Sequence, residues 1–344
     1  MTSILRTWST TITSAIVTAG GLLAAQGTLA ADAAAPYSVV QHIKAQDGGY
    51  DYVSVDSTAH RLYMARNDGV MTVDLQTNKV TPHFVAGNEV AAVLIIPDSS
   101  LMLSTNWASN QATLFDRHSG QIKAQIPVGK GPDAALYDPA SKLVFVMNGE
   151  SNDVTLVDLT KAKAVATIPV GGKPEAAASD GHGRVYLNIE DTAEIVVIDS
   201  NTHKVVTRYA MKGCEEPTGL ALDAVTGLLI SACHNSVAKL IEARTGADKG
   251  SATIGEGADG AIFDSVKRLV FIPSNNGTLT VLKLDANGKV QPVQQVRTHE
   301  GARTAAFDPS TDRLYLPSAN FVDGKDGERE AVAGTFEVLV VGRK

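Results

Sequence analysis

Residues 131–172 read GPDAALYDPASKLVFVMNGESNDVTLVDLTKAKAVATIPVGG. This stretch contains four short apolar runs, which are DAALY, KLVFVMN, DVTLVDL and AVATIPV. Each run is five to seven residues long and is separated from the next by turn-forming residues such as Asp-Pro and Gly-Glu-Ser-Asn. Short runs of this kind between turn residues are typical of β-strands. The stretch therefore predicts a small antiparallel sheet of four strands, here called a to d.

The same unit recurs along most of the chain. Its strand a is expected to begin at Asp51, Ala91, Asp133, Glu175, Thr218, Asp259 and Arg303. The spacing of 40 to 44 residues, in a sequence rich in Val, Ile, Thr and Tyr, is typical of propeller blades and not of helical repeats. Strand a also carries small residues, such as Gly219, as expected where inner strands crowd around one axis. Seven starts predict an all-β, seven-bladed β-propeller with four-stranded antiparallel blades.

The last unit lacks an outer strand. It has strand a near residues 304–307, b near 314–317 and c near 336–341, and the chain ends at Lys344. A separate run, YSVVQHIK at residues 37–44, precedes the first unit and matches an outer strand such as residues 164–170. Because an unpaired sheet edge is a liability, we expect this N-terminal strand to close the last blade.

The repeats resemble a known family. VFVMN, RVYLN and RLYMARN stand where YVTN-type β-propeller repeats carry their tetrad, and residues 214–235, CEEPTGLALDAVTGLLISACHN, resemble the YncE-like group. The resemblance covers essentially the whole chain after its N-terminal segment and implies the propeller fold. Members of this group include surface proteins, binding proteins and subunits of redox enzymes, so it implies no single activity.

The first residues predict export. Arg6 is the only charged residue before Asp32, and residues 12–25 are mostly apolar, which is the layout of a secretory signal peptide at residues 1–30. The propeller domain is expected at 36–344, in the periplasm or secreted. No later segment has 18 consecutive apolar residues, so we expect no membrane span. The net charge of −7 disfavours nucleic-acid binding.

Many acidic residues have a structural explanation in the repeat. One set ends strand a and comprises Asp56, Asp138, Asp180, Asp223, Asp264 and Asp308. A second set ends strand c and comprises Asp74, Asp116, Asp158 and Asp199. Carboxylates at such places accept backbone hydrogen bonds in turns.

The two cysteines are expected to pair. Cys214 falls in the d–a loop of the fifth blade and Cys233 at the end of its strand b, which places both on one face. An even cysteine count in an exported chain favours a disulfide. A free thiol, or a metal-binding pair with His234, is the alternative, although these residues fall short of a closed zinc site, and we expect no metal. The haem signature C-x-x-C-H is absent, and we expect no cofactor on this chain.

The first positions of strand a predict a ring of charge at one mouth of the channel. Asp51, Asp133, Glu175, Asp259 and Arg303 would share this face because d–a and b–c loops lie at the same end of a propeller. Such an acidic funnel could hold a cation, an amine or, through Arg303, a carboxylate; alternatively, the polar groups only line water.

The b–c loops add further candidates around the ring. Trp107 would stack on a ligand or pack over the rim, and Asn148 and His234 would face the ligand. His299 is expected on the same face, whereas His60, His182 and His203 fall in turns of the opposite one. The seventh b–c loop, residues 320–334, is longer than its counterparts and predicts a solvated flap.

The leading functional hypothesis is an exported binding or scaffold protein that recognises a small molecule or a protein partner at this face. G-x-S-x-G, H-E-x-x-H and Gly-rich phosphate loops are absent. The family resemblance also suggests an enzyme in two versions. One is a lactone or ester hydrolase using His234 or His299 with Arg303 and Glu216. The other is a propeller subunit of an amine-oxidising quinoprotein, whose partner chain would carry the cofactor.

Overall fold

The computed structural model of the protein describes residues 35–323 and 329–344. The predicted signal peptide at residues 1–30 lies outside them, as do residues 324–328 of the predicted flap. No helix occurs in the two described ranges, so none there could cross a membrane.

Thirty strands make up the described fold. The first part of the chain contains β1 (Tyr37–Lys44), β2 (Tyr50–Asp56), β3 (Arg61–Arg66), β4 (Gly69–Asp74), β5 (Val80–Ala86), β6 (Val90–Ile95), β7 (Leu101–Asn106), β8 (Gln111–Asp116), β9 (Ile122–Pro127), β10 (Pro132–Asp138), β11 (Leu143–Asn148), β12 (Asp153–Asp158), β13 (Lys163–Pro169), β14 (Pro174–Ser179), β15 (Arg184–Ile189), β16 (Glu194–Asp199) and β17 (Lys204–Ala210). The rest contains β18 (Pro217–Asp223), β19 (Leu228–Cys233), β20 (Val237–Glu242), β21 (Asp248–Thr253), β22 (Ile262–Asp264), β23 (Leu269–Ser274), β24 (Thr278–Leu284), β25 (Val290–Arg297), β26 (Ala306–Asp308), β27 (Arg313–Ser318), β28 (Phe321–Asp323), β29 (Arg329–Ala331) and β30 (Glu337–Arg343).

The strands form seven four-stranded antiparallel blades, as the repeat predicted. Blades 1 to 6 take strands a to d in chain order, from β2–β5 through β22–β25. In each blade strand a packs against strand a of a neighbouring blade, which places it innermost. The short hairpin β28–β29 lies in the seventh b–c loop, and its described residues are mostly exposed, in agreement with a solvated flap.

Blade 7 is closed by the N-terminal strand. Its strand order is β26, β27, β30, β1, so the outer strand comes from the start of the propeller. β1 pairs antiparallel with β30 from Tyr37 opposite Arg343 to Lys44 opposite Glu337. The prediction of closure by residues 37–44 is confirmed, and β1 covers the edge of β30 that would otherwise be bare.

The core lies between the blades. Among the described residues, each pair of neighbouring blades encloses a cluster of buried apolar side chains. Between blades 3 and 4, for example, Phe145, Leu156 and Leu187 are fully buried. Strands b and c therefore have both faces covered, which explains why their sequences are continuously apolar and do not alternate. Each such side chain contributes about 1.5–3 kcal/mol through burial.

Turn aspartates stabilise the ends of strands, as predicted. Asp56 Oδ1 accepts the backbone N–H groups of Thr58 and Ala59 at 3.0 and 2.9 Å. At the end of a strand c, backbone and hydroxyl donation by Ser119 lowers the pKa of Asp116 to about 2. These carboxylates are engaged in local structure and are not free for ligands.

Small residues on strand a are required by close packing at the axis. A Cβ added to Gly219 would lie 2.3 Å from the carbonyl carbon of Gly260 and 2.5 Å from the nitrogen of Ala261. Two innermost strands are shorter than predicted, because β22 begins at Ile262 and β26 at Ala306. Asp259 and Arg303 thus precede their strands. Glycines at 255, 257, 260 and 301 weaken strand pairing there.

Candidate functional site

A cavity of about 330 Å³ lies at the end of the channel formed by d–a and b–c loops. The predicted ligand residues Asp51, Asp133, Glu175, Asp259, Arg303 and His234 all line it. Glu216, which was predicted as a catalytic candidate, also lines it. The cavity is further lined by Tyr52, Lys173, Glu190, Thr218 and Asn275. The structure thus brings together side chains from six of the seven blades.

The acidic side chains at the start of strand a lie where its pairing with strand b is irregular, and they line the cavity. Asp51, Asp133 and Glu175 are each the second residue of strands β2, β10 and β14. In these strands the register with strand b shifts between the first and fourth residues. Bulges of this kind redirect side chains and are frequent next to functional sites.

Arg303 is held by two carboxylates. Its Nε lies 2.6 Å from Asp259 Oδ2, and its Nη2 lies 3.9 Å from Asp51 Oδ2. These carboxylates raise the pKa of Arg303 further, although burial opposes them. Since the guanidinium charge is shared between two acids, Arg303 has no surplus charge to offer an anionic ligand.

Lys173 has the same arrangement on the other side of the ring. Its Nζ lies 3.0 Å from Glu175 Oε1 and also pairs with Glu190 Oε2. Glu175 is only 5% exposed, so its charge is poorly solvated. Burial raises the pKa of Glu175 well above its usual value, and the carboxylate of Asp133 adds to this effect.

Asp133 differs from the other acids of the ring. In the described ranges no Lys, Arg or His nitrogen lies within 4.0 Å of its carboxylate. Burial raises the pKa of Asp133 to about 6, with a further contribution from the Asp259 carboxylate. The side chain is therefore ionised near neutral pH at an energetic cost, which a bound cation would reduce.

The whole ring has excess negative charge. Burial, reinforced by Asp259 and Asp133, raises the pKa of Asp51 well above its usual value. Burial also raises the pKa of Asp259, in spite of Arg303. For Glu190 burial raises the pKa, but hydrogen bonds from Glu175 and Lys173 outweigh it and lower the pKa overall. Four of these acids thus share two basic side chains, and the fifth, Asp133, has none.

Tyr52 also lines the cavity. It belongs to blade 1, yet its side chain packs against the apolar cluster between blades 3 and 4. Its hydroxyl oxygen is buried and has no hydrogen-bond partner among the described residues. Burial raises the pKa of Tyr52 well above its usual value, and the carboxylate of Asp259 adds to this. Part of the cavity lining is therefore a neutral phenol.

A histidine and a disulfide lie at the rim. His234 Nδ1 is 3.4 Å from Glu216 Oε2, and both side chains are more than half exposed. The predicted bridge is present between Cys214 and Cys233, whose Cα atoms are 5.4 Å apart. The bridge fixes the loop that carries Glu216 to the strand that precedes His234.

Three predicted residues lie outside the cavity. Trp107 is 40% exposed, and its indole nitrogen lies against Gly131, so it packs over the rim. Asn148 is fully buried and donates to Asp153 Oδ1 and Thr155 Oγ1 within blade 3. His299 Nδ1 lies 3.4 Å from Glu337 Oε1, beside the ring of His42.

Two cavity residues were missed by sequence reasoning. Lys173 stands two positions before Glu175 and Tyr52 directly follows Asp51. The repeat register points to the first position of each predicted strand a, whereas these two side chains reach the cavity from neighbouring positions. In the described ranges, no group of three or more His, Cys, Asp or Glu side chains is arranged to hold a metal ion.

Comparison with known proteins supports the fold. No family model matches the chain, and no curated protein matches its sequence. Its structure is similar to a chain of hydrazine synthase from Kuenenia stuttgartiensis, with a TM-score of 0.70 and 16% identity, covering 86% of this chain and 98% of that one. It is also similar to a chain in the crystal structure of the mitotic checkpoint complex, with a TM-score of 0.73 and 11% identity, covering 96% and 99%. At these identities the likeness concerns the fold alone.

Proposed function

We propose that the protein is an exported binding protein that holds a small organic cation, such as a protonated amine, in the channel-mouth cavity. The observation that carries the proposal is the unpaired Asp133 in a ring whose two basic side chains are each shared between two other acids. Asp133 is partly buried, an ionised carboxylate without a partner is costly there, and a cationic ligand would supply the missing charge.

The size of the cavity supports a small molecule. Its volume of about 330 Å³ falls at the lower end of the range for ligand pockets. The neutral phenol of Tyr52 adds an apolar surface against which a compact ligand would pack. Ammonium and guanidinium groups are donors only, and they match the carboxylate acceptors of this ring.

Export is supported by two independent features. The first 30 residues have the composition of a secretory signal. The Cys214–Cys233 disulfide is of the kind that persists in oxidising compartments such as the periplasm.

Isothermal titration calorimetry with butylammonium, tetramethylammonium and guanidinium chlorides tests the proposal, with sodium butyrate as the anionic counterpart. We expect at least one cation to bind in a one-to-one complex and butyrate not to bind. Asp133→Asn is expected to weaken binding about tenfold or more, since a charge-assisted contact is lost. The matched control is Asp98→Asn, an exposed residue in an a–b turn on the opposite face, which should bind as the parent does. Absence of binding for all three cations, or unchanged binding in Asp133→Asn, would refute the proposal.

The His234–Glu216 pair favours a hydrolase as the second candidate. A carboxylate beside an imidazole nitrogen can orient the ring as a general base. A panel of lactones and esters tests it: turnover that His234→Ala abolishes would support a hydrolase, and turnover that survives the change would exclude this role for His234.

A further inference from the structure

A second cavity lies far from the channel mouth, between blades 4 and 5. Its volume is about 540 Å³, and it is lined by strand residues of both blades together with residues of a–b and c–d turns, which belong to the opposite face. Its apolar part is formed by Tyr186, Tyr209 and Leu222, and its polar rim carries His182, Arg184 and Arg244. An apolar cleft of this volume with a few polar groups at its edge has the character of a ligand site.

The Tyr186 side chain provides an unpartnered polar group in this cleft. The residue as a whole is only 5% exposed, and its hydroxyl has no hydrogen-bond partner in the described parts of the chain. The hydroxyl oxygen itself is not among the fully buried atoms, so it is open to the cleft and to a molecule that enters it. The hydroxyl of Tyr186 therefore faces the cleft with its hydrogen-bonding capacity unused.

Blade 1 shows what the equivalent tyrosine does elsewhere in the ring. Tyr63 is the third residue of its strand b, as Tyr186 is, and its hydroxyl donates to the carbonyl oxygen of Arg117 at 2.8 Å. The corresponding carbonyl of blade 5 belongs to Ala243, and it accepts instead from the hydroxyl of Tyr209 at 3.1 Å. Tyr209 thus takes the acceptor that Tyr186 would otherwise use.

The rim of the cleft carries positive charge without close partners. No carboxylate lies within 4.0 Å of the Arg184 guanidinium among the described residues, and Arg244 is 87% exposed and reaches Glu242 only at 4.0 Å. Asp180 also lines the cleft, but its Oδ1 accepts the backbone N–H groups of His182 and Arg184 at 2.7 and 3.0 Å. The two guanidinium groups are therefore available to an anion.

We propose that this cleft between blades 4 and 5 binds an organic anion with a flat apolar body, such as an aromatic carboxylate or sulfonate. The body would pack against Tyr209 and Leu222, the anionic group would pair with Arg184 or Arg244, and the hydroxyl of Tyr186 would donate to a ligand oxygen. The channel mouth, with its excess negative charge, would repel the same molecule.

The test uses 8-anilinonaphthalene-1-sulfonate, an apolar aromatic anion whose fluorescence rises on binding. We expect saturable binding of one probe per chain, about tenfold weaker in Arg184→Gln and about fivefold weaker in Tyr186→Phe. The matched control is Arg61→Gln, because Arg61 is the first residue of strand b in blade 1, lies over the Phe84 ring and donates to the His118 carbonyl. This variant should bind the probe as the parent does.

The neutral analogue N-phenyl-1-naphthylamine separates charge from hydrophobicity and should bind about tenfold more weakly than the sulfonate. Circular dichroism confirms that each variant is folded. Failure of the parent to bind, equal losses in Arg184→Gln and Arg61→Gln, or equal affinity for the neutral analogue would each overturn the proposal.

Discussion

The hydroxyl of Tyr37 donates a hydrogen bond of 2.6 Å to Asp312 Oδ1, across 275 positions of sequence. Burial and this contact raise the pKa of Tyr37 to about 12. The ring also meets Phe271 edge-on at 5.2 Å, and the Arg343 guanidinium lies 4.4 Å from its centroid. Side chains as well as strand pairing therefore hold the N-terminal strand in blade 7.

Truncation of the Tyr37 side chain should weaken the attachment of the N-terminal strand β1 to blade 7. We expect Tyr37→Ala to lower the free energy of unfolding by about 3–5 kcal/mol, because a buried aromatic ring is lost. Tyr37→Phe removes only the hydroxyl and should cost about 1 kcal/mol. Urea unfolding followed by circular dichroism measures both values, and equal losses in the two variants would contradict the role given to the ring.

The disulfide should stabilise the protein without being needed for the blade pattern. Replacing both Cys214 and Cys233 by Ser frees a loop of 19 positions and is expected to lower the free energy of unfolding by about 3 kcal/mol. Chemical reduction of the parent should give a similar loss. Urea unfolding measures the free energy of unfolding of the parent, the reduced parent and the double variant. As a control, adding the reductant to the double variant should leave its free energy of unfolding unchanged.

Cation binding at the channel mouth should weaken on acidification. Because burial raises the pKa of Asp133 to about 6, its carboxylate loses its charge as the pH falls through that value. Below it, affinity for butylammonium should fall by up to about tenfold per pH unit. Calorimetry between about pH 7 and about pH 5 measures the trend. A flat profile for the parent, or the same slope in Asp133→Asn, would count against Asp133 as the binding group.

The folding stability of the unliganded protein should increase on acidification, whereas its affinity for cations should decrease. The pKa of Asp133 is about 6 in the folded chain and 3.8 in its ordinary state, so the folded form takes up the proton first. This group therefore adds stability at low pH, and the gain is lost as the pH rises through about 6. We expect the folded state to gain about 1–3 kcal/mol between about pH 7 and about pH 4.5. Thermal unfolding of Asp133→Asn should show a smaller gain.

Removal of the buried hydroxyl beneath the ring should be tolerated. Tyr52→Phe deletes a polar group that has no partner among the described residues, and it should raise the free energy of unfolding by up to about 1 kcal/mol. Urea unfolding measures the change, and Tyr63→Phe serves as the control. That variant loses a real hydrogen bond to the Arg117 carbonyl and should be destabilised. Equal effects in the two variants would show that the Tyr52 hydroxyl has a partner.

Features of the fold that depend on the local pattern of turn residues and apolar runs could be predicted from the sequence. Turn residues and short apolar runs predicted the blades, the closure by residues 37–44 and the cysteine pair, because each depends on the repeat register alone. The register also predicted Asp51, Asp133 and Glu175 on one face, since they stand at equivalent places at the start of strand a. In the structure each strand begins one residue earlier than predicted.

Features that depend on the reach of side chains between blades were not predictable. Lys173 pairs with Glu190, which lies 17 positions further along the chain, and Tyr52 crosses the channel to another pair of blades. In the cleft between blades 4 and 5, the hydroxyl of Tyr209 donates to the Ala243 carbonyl, whereas in blade 1 the equivalent carbonyl accepts from Tyr63. The periodicity of the sequence does not show which neighbour a side chain will contact, because the residue types at these positions fit the repeat whichever contact is made.

The pairing of β1 with β30 also sets the order in which the ring can be completed. The first strand to be synthesised finds its partner only when the last strand has been made, so this contact spans nearly the whole propeller in sequence. Contacts of such long range form slowly. Until β1 docks, the seventh blade presents the bare edge of β30 to its surroundings, and that edge is open to pairing with other chains.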